Sequence, residues 1–484
     1  MPIAFAPFEY FWIAPLSYAV LFILWRNAAP RRAFRLGLLY GLASFAAGLY
    51  WVYISIHGFG QVDIPLTLLL TGGLVAILAL FVAATGWLAA KWLTTNGIFA
   101  WLGVLPALFV LTEWCRGWMF SGFGWLSAGY SQTDSWLLGL APVFGLHGMS
   151  WLVLLTGGAL VTLALGSKRE RFAAAALAAA LWACAFGLAR VAWTRPTGQP
   201  IKAALVQGAV PQTLKWQGDE LGPQMKLYQE LTEASAGSRL IVWPEAALPT
   251  LYEYIPGYIE TLKNWATAND SAILIGILRG TPEDLQNAVV AVPDTRQVYV
   301  KRHLVPFGEY FPVPGFLRNW LRLMSLPLPY ADPKPGPADQ PTLDVAGQRI
   351  GVSICYEDVF GAEQIRYLPA ATLLVNVSND AWFGDSIAPP QHLQISQLRA
   401  AEAGRYLLRA TNTGITALIG PKGQVLSRLP QFQPGTLEAS VTGMEGETPY
   451  ARWGNYPVVI GALLLVLLPP LLARLKRPRR AVFR

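Results

Sequence analysis

Three segments of the sequence end an apolar, strand-like run with a chemically reactive side chain. The run GVSIC ends in the thiol of Cys355, LIVWPE ends in the carboxylate of Glu245, and QVYVK ends in the ammonium group of Lys301. Because side chains at strand ends emerge at the edge of a sheet, where clefts form, we expect the three groups to face one cleft. A thiol, a carboxylate and an ammonium group are together suited to acyl transfer.

Each of the three groups has a distinct task in that chemistry. A thiolate is an effective nucleophile, so Cys355 is the candidate nucleophile, and Glu245 can remove the thiol proton as general base. Lys301 would stabilise the oxyanion of the tetrahedral intermediate and offset the repulsion between a thiolate and nearby carboxylates. The backbone N–H of Tyr356, the residue after the nucleophile, is the expected second donor to the oxyanion.

Each residue type also has an ordinary structural explanation. A cysteine at a strand end is most often a small core residue, a strand-terminal glutamate is usually a solvated turn residue, and a strand-terminal lysine usually protects a sheet edge. Cys115 and Cys184 fall in stretches predicted to span the membrane, which leaves Cys355 without a disulfide partner in the segment 191–455. The joint occurrence of three reactive strand ends favours the catalytic interpretation.

The composition is typical of a membrane protein. Of the 484 residues, 54% are hydrophobic and 14% are charged, against roughly 25% charged in soluble domains. A helix needs about 20 residues to cross about 30 Å of hydrocarbon, and seven apolar stretches are close to that length or exceed it. The first lacks a basic region before it and a small-residue cleavage pattern after it, so we expect it to remain as an anchor. The stretches are 8–25, 36–56, 65–90, 98–115, 137–166, 172–190 and 456–473.

The charges are segregated along the chain. Segment 191–455 holds 21 Lys/Arg and 24 Asp/Glu, whereas the rest holds 16 basic and 5 acidic residues, so the net charge of +8 does not indicate a nucleic-acid partner. The positive-inside rule places the basic loops 26–35, 91–97 and 167–171 in the cytoplasm, together with the basic tail. We therefore predict three parts: about six spans in 1–190, an extracytoplasmic domain in 191–455, and a last span with a basic tail in 456–484.

The segment 191–455 alternates short β-branched runs with helical stretches, a pattern that predicts one α/β domain. It has no phosphate-binding or dinucleotide-binding glycine motif, and the four histidines of the chain lack the paired spacing of a zinc site, so we expect neither a cofactor nor a metal. The histidines are His57, His147, His303 and His392, and the predicted strand runs are Ala203–Val206, Leu240–Trp243, Ala272–Ile277, Ala288–Val292, Gln297–Val300, Arg349–Ile354, Thr372–Val377 and Ile415–Ile419.

Longer motifs surround the reactive residues. They are WPE at Trp243–Glu245, VYVKRHLVPFGEYFP at Val298–Pro312, ICYE at Ile354–Glu357 and SNDAWFG at Ser378–Gly384. Together these motifs resemble the nitrilase superfamily and, within it, the apolipoprotein N-acyltransferase family. The loop Glu113–Trp118, the segment Thr448–Arg452 and the order of several spans, a catalytic domain and one closing span are also similar to that family. Soluble amidases share the catalytic signature, and the membrane architecture separates the two groups.

The resemblance implies a multi-span helical membrane domain joined to a nitrilase-like αββα sandwich. In that sandwich Glu245, Lys301 and Cys355 would form a catalytic triad. Matching positions imply four further site residues, namely Glu309 and Glu357 in support of the triad, and Trp216 and Trp382 in contact with substrate.

The resemblance also implies substrates and a location. Enzymes of this family take an acyl chain from a phospholipid, hold it as a thioester on the cysteine, and pass it to the N-terminal amine of a diacylglyceryl apolipoprotein. They do so without a cofactor at the bacterial inner membrane, with the catalytic domain on the periplasmic side. Two alternatives stay open: a membrane-anchored amidase that uses the same triad with water as acceptor, and a non-catalytic scaffold that binds lipoproteins.

Two further expectations concern the apolar stretch 311–330 and the number of membrane spans. The apolar stretch 311–330 is expected to act as a lid that dips toward the membrane interface. The family usually has one more helix before the segment that resembles residues 4–8, which makes eight spans against the seven predicted in this chain.

Overall fold

The computed structural model describes residues 1–92, 97–282, 284–306, 308–310 and 333–475. The chain forms two compact units. The predicted lid, 311–330, lies outside the described residues. The first unit comprises Met1–Leu49, Gly72–Arg190 and Trp453–Arg484, and the second comprises Tyr50–Thr71 and Val191–Arg452.

The first unit is helical. Pro30, Pro106 and Pro142 each lie in the first turn of a helix, where the fixed φ and missing N–H of proline cost least, and Ser167 and Glu170 form a capping box at the start of another helix. Each of the seven apolar stretches contains a helix. These helices are α1 (Ile13–Trp25), α2 (Pro30–Gly48), α4 (Ile64–Trp92), α5 (Leu105–Arg116), α6 (Ala141–Leu165), α7 (Lys168–Leu188) and α14 (Tyr456–Leu475); a short α3 (Trp51–Tyr53) continues as a π-helical turn, Ile54–Phe59.

Within the described ranges, three helical segments are long and apolar enough to cross a membrane: Ile64–Lys91, Trp136–Leu165 and Lys168–Leu188. A fourth span results if Pro30–Gly48 and Trp51–Phe59 form one bent crossing. Ile13–Trp25 and Tyr456–Leu467 are apolar but shorter. The chain is thus a membrane protein, and the count of seven spans remains a prediction.

The second unit contains two β-sheets. The first sheet has the order β13-β1-β2-β4-β5-β6, with β3 beside β4, and the second has the order β12-β11-β10-β9-β8-β7. Each of the eight predicted strand runs coincides with a strand. The strands are β1 (Arg195–Gln207), β2 (Leu240–Val242), β3 (Leu248–Leu251), β4 (Ala272–Thr281), β5 (Asp284–Val292), β6 (Val298–Val300), β7 (Leu343–Val345), β8 (Gln348–Ile354), β9 (Leu373–Ser378), β10 (Leu407–Thr411), β11 (Ala417–Ile419), β12 (Val425–Arg428) and β13 (Gly435–Glu445).

The two sheets form the inner layers of a four-layer sandwich, with helices on both outer sides. A central core joins the facing sides of both sheets, with Val242 and Leu274 from the first and Val352 and Val375 from the second. The outer side of each sheet packs against helices, so the predicted αββα sandwich is confirmed. The helices of this unit are α8 (Gln212–Lys215), α9 (Leu221–Ala234), α10 (Pro256–Ala268), α11 (Gly361–Gln364) and α12 (Ala388–Ala403), and α13 (Pro449–Trp453) follows.

Strand direction brings the reactive strand ends together. β2 is parallel to β4, and β4 is antiparallel to β5, which is antiparallel to β6, so β2 and β6 point the same way. Glu245 follows β2 and Lys301 follows β6 at one edge of the first sheet, while Cys355 follows β8 of the second sheet. The three reactive side chains therefore come from both layers of the sandwich.

Candidate active site

The turn that carries Glu245 is held tightly against β4. The N–H of Ala247 donates to the carbonyl of Gly276 at 2.8 Å, and Ala246 has a φ of 43°. A Cβ at Gly276 would collide with the carbonyl oxygen of Pro244, so this close approach requires glycine. The WPE segment is thereby fixed at the strand end with Trp243 in the core.

The carboxylate of Glu245 is buried and fully engaged. Its Oε1 accepts hydrogen bonds from Asn287 Nδ2 at 2.7 Å and Lys301 Nζ at 3.1 Å, and its Oε2 accepts one from the backbone N–H of Asn379 at 2.9 Å. Burial acts to raise the pKa of Glu245, but the charges of Lys301 and Lys215 and these hydrogen bonds outweigh it and lower the pKa. Glu245 is therefore a carboxylate at neutral pH and can accept a proton.

Lys301 is almost completely buried, with its side chain 1% exposed. Its Nζ lies 2.8 Å from Oε1 of Glu309, and Oε2 of Glu309 accepts the backbone N–H of Val305 at 2.7 Å. Burial would lower the pKa of Lys301, but Glu245, Glu309 and Cys355 raise it well above its ordinary value. The predicted support of the triad by Glu309 thus has a geometric basis, because this carboxylate holds the ammonium group in place.

Cys355 occupies a constrained position at the end of β8. It has a φ of 52°, in the left-handed region that non-glycine residues seldom adopt, and it is half-buried. Burial and the charge of Glu245 raise the pKa of its thiol well above the ordinary value, while Lys301 lowers it. The resting thiol is therefore protonated, and nucleophilic attack requires a base.

Glu357 supports the site through the backbone. Its carboxylate accepts N–H groups from Arg302 at 2.7 Å, His303 at 3.0 Å and Ile354 at 2.7 Å, and the hydroxyl of Tyr299 at 2.9 Å. Burial raises its pKa to about 7, although the backbone donors act to lower it. The predicted supporting residue thus joins the chain beside Lys301 to the chain beside Cys355.

Comparison with known proteins identifies the family of this chain. Residues 1–159 match the family model described as the apolipoprotein N-acyltransferase N-terminal domain, and residues 202–450 match the model of carbon-nitrogen hydrolase. A protein named apolipoprotein N-acyltransferase from Methylococcus capsulatus is 42% identical over 462 residues, which cover 95% of this chain and 91% of that protein. Its namesake from Nitrosomonas europaea is 44% identical over 470 residues, covering 95% and 93%. The chain belongs to the apolipoprotein N-acyltransferase family.

Membership of the apolipoprotein N-acyltransferase family makes the chain an acyltransferase with a nitrilase-superfamily catalytic domain. Solved structures of low similarity also match. The NitFhit protein of C. elegans has a TM-score of 0.41 at 16% identity, covering 59% of this chain and 66% of that chain. A mutant of the amidase from Nesterenkonia sp. AN1 has a TM-score of 0.38 at 19% identity, covering 54% and 97%.

The two tryptophans expected to contact substrate in this acyltransferase are both exposed. Trp216 is 47% exposed and Trp382 is 40% exposed. Trp216 directly follows Lys215, whose buried ammonium group lies 3.4 Å from the carbonyl oxygen of Glu245. Trp382 lies two residues after Asp380, and its ring lies 6.5 Å from that of Phe59. An ordinary core role does not account for such exposed aromatic rings.

Sequence reasoning missed a second polar group beside the nucleophile. Cys355, Asp380 and His392 each place a ligand-type atom within 4.8 Å of the others. The sequence gives no signal for this pairing, because no second histidine lies at a paired spacing and Asp380 stands out only as part of the SNDAWFG motif. The positions of Asn287 and Asn379 around Glu245 were likewise not predicted, since Asn287 lies on β5 of the first sheet and Asn379 follows β9 of the second. The role of the Tyr356 N–H as an oxyanion donor remains a prediction.

Proposed function

We propose that this enzyme transfers a fatty acyl chain from a membrane phospholipid, through a thioester on Cys355, to the N-terminal amine of a diacylglyceryl apolipoprotein. The observation that carries the proposal is the buried pair of Glu245 and Lys301, 3.1 Å apart, whose charges act on the thiol of Cys355. A base, a cation and a protonated thiol in one buried site are the groups that acyl transfer through a thioester needs.

The first half-reaction forms the thioester. The thiol proton of Cys355 moves to the carboxylate of Glu245 while the sulfur attacks the ester carbonyl carbon of the phospholipid. The C–S bond forms, the carbonyl electron pair moves to oxygen, and the ammonium group of Lys301 stabilises this oxyanion. When the intermediate collapses, the C–O bond to the glycerol breaks and the proton on Glu245 passes to the leaving oxygen, which releases a lysophospholipid.

The second half-reaction transfers the acyl chain. An α-amine has a pKa near roughly 7.7–8.0, so a neutral fraction is present at neutral pH. That amine attacks the thioester carbon, the C–N bond forms and the C–S bond breaks. The proton lost by the nitrogen passes through Glu245 to the sulfur, which restores the thiol of Cys355. Because the two substrates use the same site in turn, ping-pong kinetics are expected.

Both proposed substrates are membrane lipids, which accounts for a catalytic domain within a membrane protein. Extraction of a lipid chain into water costs about 0.8 kcal/mol per CH₂ group. We place the catalytic segment 191–455 on the periplasmic side of the bacterial inner membrane, anchored by segments 1–190 and 456–484. The support for this orientation is the alternation of basic loops in the sequence.

The test is intact-mass spectrometry of the purified full chain. After incubation with vesicles of a phospholipid that carries one defined acyl chain, we expect a mass increase equal to that acyl group. A synthetic diacylglyceryl-cysteine peptide should then remove the increase and appear as an N-acyl product. The Cys184→Ala variant is the matched control, because it removes another thiol and should behave as wild type.

Three results would contradict the proposal. An acyl increase that persists in Cys355→Ala would place the acyl chain elsewhere. Hydrolysis of small amides without any transfer to the peptide would favour the membrane-anchored amidase. A Cys355→Ser variant that remains folded but retains full function would favour the non-catalytic scaffold.

A further inference from the structure

His392 lies on α12 with its imidazole 1% exposed and both ring nitrogens engaged. Its Nδ1 is 2.8 Å from Oδ1 of Asp380, and its Nε2 is 3.2 Å from the carbonyl oxygen of Cys355. A carbonyl oxygen can only accept a hydrogen bond, and an ionised carboxylate can only accept one. Both nitrogens therefore act as donors in this arrangement.

The charges around the ring agree with that protonation state. Arg409 donates to Oδ2 of Asp380 at 2.9 Å and lies 3.5 Å from Oδ2 of Asp358. Asp358, Asp380 and Arg409 are all fully buried, and Glu357 and Glu363 also lie on elements packed against α12. Within the group of Asp358, Asp380 and Arg409, two carboxylates and one guanidinium leave one negative charge. A second proton on His392 balances it, and a buried charge without a partner is strongly unfavourable.

The position of Asp380 is itself constrained. Burial would raise the pKa of its carboxyl group, but His392 and Arg409 outweigh burial and lower it. A Cβ at Gly414 would be in close contact with this carboxylate, so the chain around it leaves little room for movement. Asp380 thus holds the ring of His392 at a fixed orientation beside the nucleophile.

The ring is also close to the reacting sulfur. One ring nitrogen of His392 lies within 4.8 Å of Sγ of Cys355. Thiol, imidazole and carboxylate are also the ligand types of a zinc site. An imidazole that donates from both nitrogens has no lone pair for a metal, however, so the hydrogen bonds point to a different role.

We propose that His392 is a positioning residue for the nucleophile. As an imidazolium held by Asp380, it binds the carbonyl of Cys355, maintains the left-handed backbone at that residue, and adds a second positive charge beside the sulfur. This inference rests on the proposed role of Cys355 as nucleophile. It assigns to the site a second cation on the side of Cys355 that faces α12, in addition to Lys301.

Two neutral variants separate the hydrogen bond from the charge. The amide nitrogen of His392→Gln can reach the position of Nε2 and keep the donor to Cys355. The amide nitrogen of His392→Asn lies near the position of Nδ1 and keeps only the contact with Asp380. Thioester formation should fall on the order of 100-fold in His392→Asn, because displacement of a reacting group by about 1 Å has an effect of this size. The loss should be roughly tenfold smaller in His392→Gln.

The effect of the positive charge of His392 on the thiol of Cys355 is measured without any lipid substrate. The rate at which iodoacetamide alkylates Cys355 in the full chain is followed by peptide mass spectrometry from pH 6 to pH 11, with Cys184 as internal reference. A thiolate that loses a neighbouring cation should form at higher pH, so both variants should shift the midpoint upward by roughly one to two pH units. A purely structural role would leave the midpoint unchanged and would overturn the proposal. This readout stays informative even if the chain accepts no phospholipid.

If the His392 variants do not fold, the unsubstituted imidazole of His392 can be measured instead. His57→Gln, His147→Gln and His303→Gln are combined, so that His392 is the one histidine left. Nitrogen-15 NMR of this protein in detergent at pH 8 should show both ring nitrogens of His392 protonated. A neutral ring with one unprotonated nitrogen would overturn the inference.

Discussion

The carboxylate of Glu357 accepts a 2.7 Å hydrogen bond from the backbone N–H of Arg302. Arg302 follows Lys301, and the same carboxylate accepts the N–H of Ile354, the residue before Cys355. The two strand ends belong to different sheets, so packing within one sheet does not fix the distance between them. Glu357 connects the two strand ends directly through these hydrogen bonds. It thereby helps to fix the position of Lys301 relative to Cys355, which the packing of the sandwich core does not determine.

Replacement of Glu357 by glutamine should reduce acyl transfer on the order of 10- to 100-fold. An amide nitrogen in place of one carboxylate oxygen faces backbone N–H donors, so one hydrogen bond is lost and two donors oppose each other. The measurement is the rate of thioester formation, with Glu230→Gln on the surface of α9 as control. A variant that matches wild type would contradict the bridging role.

The pH dependence of stability should reveal the raised pKa of Glu357. A carboxyl group with a pKa of about 7 in the folded protein and a lower one in the unfolded chain stabilises the fold fully at acidic pH. That contribution is lost as pH rises through about 7. The free energy of unfolding of wild type relative to Glu357→Gln should therefore fall by about 2–3 kcal/mol between pH 5 and pH 8. Denaturant titration in detergent measures it, and a constant difference would contradict the pKa.

Removal of the buried cation should affect both stability and activity. Lys301→Met leaves the buried Glu245 and the partly buried Glu309 without their ammonium partner, which should cost about 3–5 kcal/mol. Transfer should fall by roughly 10²–10³-fold, since the oxyanion loses its stabilising charge. The double variant Lys301→Met/Glu245→Gln should recover part of the stability and none of the activity. Wild-type transfer by a folded Lys301→Met single variant would show that Lys301 has a structural role only.

Substitution of the exposed Trp382 should weaken substrate binding more than catalysis. Its ring lies beside Phe59 and is 40% exposed, so truncation removes apolar surface available to a lipid chain. Trp382→Ala should raise KM for the phospholipid by roughly tenfold with a smaller change in kcat, and Trp382→Phe should restore most of the binding. Steady-state kinetics in mixed micelles separates the two constants. A loss confined to kcat would assign Trp382 to the chemical step instead.

The sandwich and its reactive strand ends could be predicted because both depend on local pattern. β-branched runs mark buried strands, and Glu245, Lys301 and Cys355 each stand where such a run ends. The four-layer packing followed from the family resemblance. Five strands, β3, β7, β10, β12 and β13, were not predicted, since strands that are short or polar on one face carry a weak apolar signal.

The partners of the triad depended on the tertiary structure. Asn379 donates to Glu245 across 134 residues of sequence, and Asn287 across 42. Tyr50–Thr71 belongs to the same compact unit as the sandwich, although its sequence predicted the end of one membrane span, a loop and the start of the next span. None of these contacts has a local signature, because they arise from which strands and turns become neighbours.

The sequence by itself determined the membrane character, the strand ends and the identity of the reacting groups, since hydrophobicity and side-chain chemistry are properties of single residues and short windows. Only the tertiary structure decided that Glu357 ties two sheets together and that His392 donates to the nucleophile's own carbonyl. A hydrogen bond requires two groups at about 3 Å in a fixed direction, and chain folding alone brings such distant groups to that distance.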